Sequence, residues 1–307
     1  METYSSAAIS PIKKKPGNLK KELGLLLEEL CKDSQDDSFL ENDPLKFPRK
    51  YSNKLDIEIS AFFSALMAWG KRAIILNKLE DLFGRMQPSP YEFVMRYTVR
   101  RNNLGAIAGF KHRTYKDKQV AGIILALKSA IEKYDNLESL FKEGLNMAEA
   151  QGINDDGYMR LKFAIGHFVE MLKKFSSSAG FPLSNRHLPS PLQGESACKR
   201  MNLFLRWMVR KDGFDLGIWN CLQPGSLLVP LDLVVGRAGQ CLGLSEKKAP
   251  NKWATAVQIT ESLKLFDVKD PTRFDFALSQ IGCGPEGSFQ ACRKCRFVEI
   301  ADMVKTA

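Results

Sequence analysis

Two stretches of this 307-residue sequence hold side chains whose types and spacing could do chemistry. The first, Leu188-Pro-Ser-Pro-Leu-Gln-Gly-Glu-Ser-Ala-Cys-Lys-Arg-Met-Asn-Leu-Phe-Leu-Arg-Trp-Met-Val-Arg210, reads as a Pro- and Gly-rich turn feeding a helix. In that helix Ala197, Met201, Phe204, Leu205 and Met208 fall on one face, while Lys199, Asn202, Arg206 and Arg210 recur at steps of three and four on the opposite one. A turn holding Gly194 and Ser196, followed by a helix N-terminus with basic residues along one side, is a phosphate-binding arrangement. Backbone N–H groups and the helix dipole both favour an anion there. The same spacing also fits a solvated basic face after an ordinary loop. The second stretch, Ser226-Leu-Leu-Val-Pro-Leu-Asp-Leu-Val-Val-Gly-Arg-Ala-Gly-Gln-Cys-Leu-Gly-Leu244, places one carboxylate, Asp232, inside an apolar run where a helix carrying Arg237 should begin. Asp232 is either an N-cap, worth about 1 kcal/mol, or a partly desolvated carboxylate aimed at a reacting centre. Spacing alone leaves both readings open.

Helices must hold these stretches in place. An acidic, Leu-rich segment from Glu22 to Leu30 reads as helical, and Asn42-Asp-Pro-Leu45 breaks it. Asp56 is expected to cap the next helix, in which Ile59, Phe62, Phe63, Leu66 and Met67 form an apolar stripe. Val120, Ile123, Ile124, Leu127 and Ile131 form another stripe, as do Leu161, Ala164, Ile165, Phe168, Val169 and Leu172, and again Ala256, Ile259, Leu263 and Phe266. No sustained alternating run bounded by turns occurs, so no strands are expected and the chain reads as all-α. A Ser-, Pro- and Gly-rich stretch between Phe175 and Ala197 ends one half of the chain, and no repeat at 20 to 50 residues points to a solenoid.

The N-terminal residues 1–22, with Lys13, Lys14, Lys15, Lys20 and Lys21 around Pro11 and Pro16, read as a disordered basic arm. Residues 23–307 read as the folded part. Lys plus Arg number 45 against 35 Asp plus Glu, a net charge of +10, and 44% hydrophobic with 26% charged residues excludes a disordered chain and a coiled coil. The positive excess points to a polyanionic partner. The longest apolar runs, such as Ala121 to Leu127, fall far short of the roughly 20 residues a bilayer requires, and the first residues lack a signal-peptide pattern. A cytoplasmic monomer without a membrane partner is expected. Seven cysteines, an odd number, read as thiols rather than a disulfide framework. His112, His167 and His187 show no ligand spacing, and no metal or cofactor is expected.

Lys199-Arg-Met-Asn202, Val229-Pro-Leu-Asp232-Leu-Val-Val-Gly-Arg237 and Leu242-Gly-Leu244 resemble the core of the helix-hairpin-helix DNA glycosylase superfamily. The separation of Lys199 from Asp232 is similar to that in its archaeal 8-oxoguanine glycosylase branch. Asp43-Pro-Leu45, Lys111-His-Arg113, Cys198-Lys-Arg200, Phe204-Leu-Arg-Trp-Met-Val-Arg210, Asp215-Leu-Gly-Ile-Trp219 and Asp270-Pro-Thr-Arg-Phe-Asp-Phe-Ala-Leu278 further resemble an uncharacterised bacterial family allied to that superfamily, over about residues 40–282.

The resemblance implies a bilobed helical fold, one lobe spanning about residues 56–175 and the other formed by the N-terminal helix and the C-terminal part. It implies a base-excision repair enzyme on damaged double-stranded DNA, a glycosylase with AP lyase activity toward an oxidised purine. Lys199 would attack the sugar C1′ and form a Schiff base, while Asp232 would stabilise the charge that builds on the sugar or help activate the amine. Gly194, Ser196, Arg200, Asn202, Arg206, Arg210 and Arg237 would contact DNA, and Trp69 and Trp219 would hold a base taken out of the stack. Two departures stand out: Leu233-Val234 replaces the usual Thr-His after the Asp, and the hairpin at Ser190 to Gly194 has one glycine instead of two or three. Cys283, Cys292 and Cys295 sit where endonuclease III relatives carry an iron–sulfur cluster, but three local thiols at another spacing favour ordinary reduced cysteines. The alternative is a non-catalytic nucleic-acid-binding protein on the same scaffold.

Overall fold

Helix α1 (Gly17–Asp33) opens the described chain, burying Leu23, Leu26, Leu27 and Leu30 along one stripe. Residues 17–22, expected in the disordered arm, therefore belong to a helix; residues 1–16 lie outside the described residues. A computed structural model of the protein describes residues 17–33, 40–100, 103–153, 158–246 and 251–282. Two short 3-10 turns follow, Pro44–Lys46 and Pro48–Lys50, the first capped by Asp43, whose Oδ1 accepts from the Leu45 amide at 2.9 Å.

Helix α2 (Lys54–Met67) is capped by Asn53 rather than by Asp56. Asp56 instead accepts from the Ser89 hydroxyl at 2.6 Å and the Tyr91 amide at 2.8 Å, which ties down the start of α4 (Pro90–Arg96). Every residue of α2 from Asp56 to Met67 is buried, so this helix runs through the interior and is covered on all sides. Between α2 and α4 lies α3 (Arg72–Arg85). A small antiparallel hairpin, β1 (Lys111–His112) and β2 (Tyr115–Lys116), departs from the strand-free expectation. Two-residue strands are too short to leave an alternating pattern.

Helices α5 (Asp117–Tyr134), α6 (Leu137–Ala150) and α7 (Met159–Ser178) pack on one another, with the expected stripes of α5 and α7 buried. Residues 179–198 then contain no helix, so the turn at 190–194 does not directly join two helices. The remaining helices are α8 (Lys199–Val209), α9 (Leu233–Cys241), α10 (Trp253–Leu263) and α11 (Asp275–Gly282). Helix α9 packs on α11 and α10, α1 packs on α11, and α8 lies against α2. The buried apolar side chains form one contiguous core, to which all of these helices contribute. Among the described residues no helix is long and apolar enough to cross a membrane.

Candidate functional site

The first turn of α8 and the first turn of α9 face one cleft of about 760 Å³, which also takes in Asp43, Trp69, Arg206 and Asp275. Cys198, in the left-handed region at φ 47°, turns the chain into α8 and puts Lys199 at its first position. Asp232 caps α9: its Oδ1 accepts from the amides of Val234 and Val235, each at 2.9 Å. Its other oxygen, Oδ2, accepts from Lys199 Nζ at 2.8 Å. The two roles left open by spacing, helix cap and charged partner, are thus filled by different oxygens of one carboxylate. Burial pushes the Asp232 carboxyl up, but the Lys199 charge and the hydrogen bonds from Lys199, Val235 and Val234 outweigh it and hold the group below its ordinary value. Both side chains keep about a third of their surface open to solvent.

Asp275 sits at the start of α11, 8% exposed, and accepts from Arg206 Nη1 at 2.5 Å through Oδ2. Burial pushes its carboxyl up to about 6; neighbouring Asp232 acts in the same direction, and Arg206 and Lys199 oppose it. Arg206 also donates from Nε to Asp215 at 3.0 Å. Arg206 Nη2 and Asp275 Oδ1 are buried without a hydrogen-bond partner among the described residues, as is Trp69 Nε1. All three belong to residues lining the cleft.

The basic face expected along α8 is largely covered: Lys199 opens onto the cleft, but its two arginines are buried. Arg206 is 1% and Arg210 4% exposed. Arg210 donates to Asp270 from Nε at 2.8 and 3.0 Å and from Nη2 at 3.0 Å, and it also pairs with Asp212 and Asp215. Carboxylates brought in from later in the chain cover this face, because a buried guanidinium requires charged acceptors. Asn202 is buried too and donates to the Ala197 carbonyl at 2.8 Å. Arg200 is half-buried, tied to the Arg186 carbonyl at 3.1 Å and to the Tyr115 hydroxyl. Gly194, at φ +119°, and Ser196 are exposed, and Ser196 Oγ accepts from the Cys198 amide. Arg237 is exposed on α9 and does not line the cleft.

The two tryptophans separate. Trp69 is half-buried at the cleft, with the Arg113 guanidinium 4.8 Å from its ring centroid. Trp219 is 2% exposed, packs against Phe141 and Phe204, and donates to Glu58 Oε1 at 2.7 Å. It is a core residue and cannot hold an extruded base.

Asp43 and Asp275 join the cleft without having been singled out by spacing. Each belongs to a segment that carries the family resemblance, Asp43 opening one Asp-Pro step and Asp275 following another, but nothing local reports that they converge on Lys199. Cys283, Cys292 and Cys295 lie outside the described residues. Among the described residues Cys31, Cys198, Cys221 and Cys241 form no disulfide, and no three His, Cys, Asp or Glu side chains are grouped to hold a metal ion.

No curated protein and no solved structure matches the chain significantly. Residues 43–284 match the family model described as protein of unknown function, DUF2400. That span holds every side chain lining the cleft, from Asp43 to Ser279, and the chain belongs to this family.

Proposed function

We propose that the protein is a double-stranded-DNA-binding base-excision repair enzyme, a DNA glycosylase with AP lyase activity on an oxidised purine, in which Lys199 is the nucleophile and Asp232 its partner. A bilobed helix-hairpin-helix glycosylase fold belongs to the same reading. Its support is the placement of Lys199 at the start of one helix and Asp232 at the cap of the next. The observation that carries the reading is the 2.8 Å contact of Lys199 Nζ with Asp232 Oδ2 inside a cleft of about 760 Å³, a volume that accommodates an extruded nucleobase.

The chemistry follows from that contact. An ammonium cannot attack, so Lys199 first passes a proton to Asp232. The neutral amine bonds to C1′ while the bond from C1′ to the base nitrogen breaks, and the electron pair leaves with the base, which takes up a proton. That proton comes from Asp232, and the carboxylate so regained stabilises the positive charge that builds on the sugar as the base departs. Opening of the sugar ring gives a Schiff base between Lys199 and C1′. Loss of a proton from C2′ then expels the 3′ phosphate, and water releases the lysine.

The test is to incubate the full chain with duplexes containing oxidised purines in the presence of borohydride, which reduces the imine to a stable amine. A covalent protein–DNA adduct is expected, and Lys199→Gln should abolish it. If no lesion yields an adduct, or if Lys199→Gln leaves it undiminished, the lyase reading is wrong. The hydrogen bonds that already occupy both Asp232 oxygens favour a second reading, a non-catalytic nucleic-acid binder in which this pair only fastens α8 to α9. Asp232→Asn would then alter stability and nothing else.

A further inference from the structure

The rim of the cleft at the start of α3 is basic, and among the described residues Lys71 and Arg113 have no carboxylate beside them. Trp69-Gly70-Lys71-Arg72 leads into this helix, whose first turn holds no acidic residue and whose N-cap, Lys71, makes no side-chain capping bond. Strand β1 packs on α3 and the β1–β2 turn brings in Arg113. The guanidinium lies against Gly70, at φ +117°, where a Cβ would fall 2.3 Å from Arg113 Nη2. The backbone conformation favours glycine there, and a side chain at this position would make the Arg113 guanidinium shift. Lys71, Lys111 and Arg113 are all exposed, and none has a carboxylate partner among the described residues. Further along α3 the pattern differs: Lys78 and Arg85 both pair with Asp81.

We propose that this rim, anchored by Lys71 and Arg113, binds the phosphates of a DNA strand and presents the adjoining nucleotide to the Lys199 cleft. The inference rests on the reading of DNA as partner. A guanidinium stacked on an indole keeps its in-plane N–H donors free for phosphate oxygens, and the indole beneath Arg113 is the one that lines the cleft. The phosphate contact and the cleft wall therefore meet at Trp69. Inside the cleft, the unpartnered Nη2 of Arg206, an almost wholly buried side chain, independently points to a missing acceptor. The hairpin at 190–196 is a poorer phosphate site. It carries the carboxylate of Glu195, paired with Lys252, and Leu192 packs onto Gly166 of α7.

The experiment measures binding of the full chain to a duplex containing a tetrahydrofuran abasic analogue, which cannot form a Schiff base, over a range of salt concentrations. Each phosphate contact contributes about 0.9 to the slope of log affinity against log salt. The double variant Lys71→Ala/Arg113→Ala should therefore lower the slope by about 1.8, and affinity roughly 50-fold at 0.1 M salt. Lys71→Ala and Arg113→Ala singly should each lower the slope by about 0.9, whereas Arg113→Lys and Lys252→Ala should leave it nearly unchanged. Thermal midpoints of the exposed-residue variants should match the wild type. An unchanged slope in the double variant overturns the proposal, as does tighter binding of an RNA strand of the same sequence than of the duplex. If the slope falls as expected but no lesion duplex gives a borohydride adduct, the rim stands and the glycosylase reading fails. If adducts form while the slope is unmoved, the reverse holds.

Discussion

Arg206 on α8 and Asp275 at the start of α11 meet through a 2.5 Å hydrogen bond in the wall of the cleft that holds Lys199 and Asp232, and each keeps one atom, Nη2 and Oδ1, without a partner. The pair joins two parts of the chain that are 69 positions apart and is continuous with Asp215 and Arg210. It therefore supports the site mechanically as well as electrostatically.

Arg206→Leu should leave Asp215 and Asp275 buried without their common cation. Breaking such a network by removing one partner costs about 3–5 kcal/mol. Urea unfolding measures it directly. A loss below about 0.5 kcal/mol would match a solvated surface arginine and contradict the burial.

Stability should depend on pH through Asp275 with a definite sign. Its carboxyl lies near 6 in the folded protein against an ordinary 3.8, so the folded state holds that proton more tightly. The contribution is fully present below about 3.8 and is lost as pH rises through about 6. Wild type should lose stability relative to Asp275→Asn over that interval and run parallel to it above pH ~7. Asp232, held below its ordinary value, has the opposite sign: its contribution is present above 3.8 and is lost as pH falls through its folded pKa. Unfolding midpoints at half-unit pH steps for wild type, Asp275→Asn and Asp232→Asn separate the two.

Three substitutions at Asp232 divide its two roles. Asn and Ser are good N-caps and should preserve the start of α9, whereas Ala should cost about 1 kcal/mol. Borohydride adduct formation should fall in all three, by on the order of 10²–10⁴, because none can take the Lys199 proton. Full adduct yield in Asp232→Asn would mean that this residue is a cap alone.

Trp69 and Trp219 should respond in opposite ways. Trp69→Ala should weaken binding of a lesion duplex several-fold with little change in thermal midpoint, as base–aromatic stacking is worth about 1–3 kcal/mol. Trp219→Phe removes the indole donor from the buried Glu58 carboxylate and should destabilise the fold by about 1–3 kcal/mol. Its DNA affinity should be unchanged once folded.

The sequence by itself determined the local features. The stripes at 120–131 and 161–172 are buried, Lys199 opens a helix and Asp232 begins the next, because side-chain periodicity and capping depend on neighbours within a few positions. Its reading of Asp56 as a cap failed because Asn53, three positions earlier, took that role and left the carboxylate for Ser89 and Tyr91. Tertiary structure alone decided which polar faces meet water. Arg206 and Arg210 have the spacing of a solvated basic edge until Asp215, Asp270 and Asp275 close over them. Lys71 and Arg113, far apart in the chain, share one rim because β1 packs on α3 and brings the β1–β2 turn beside Gly70. A charge is exposed or buried according to what packs against it, and most of those partners come from distant segments that no local period records.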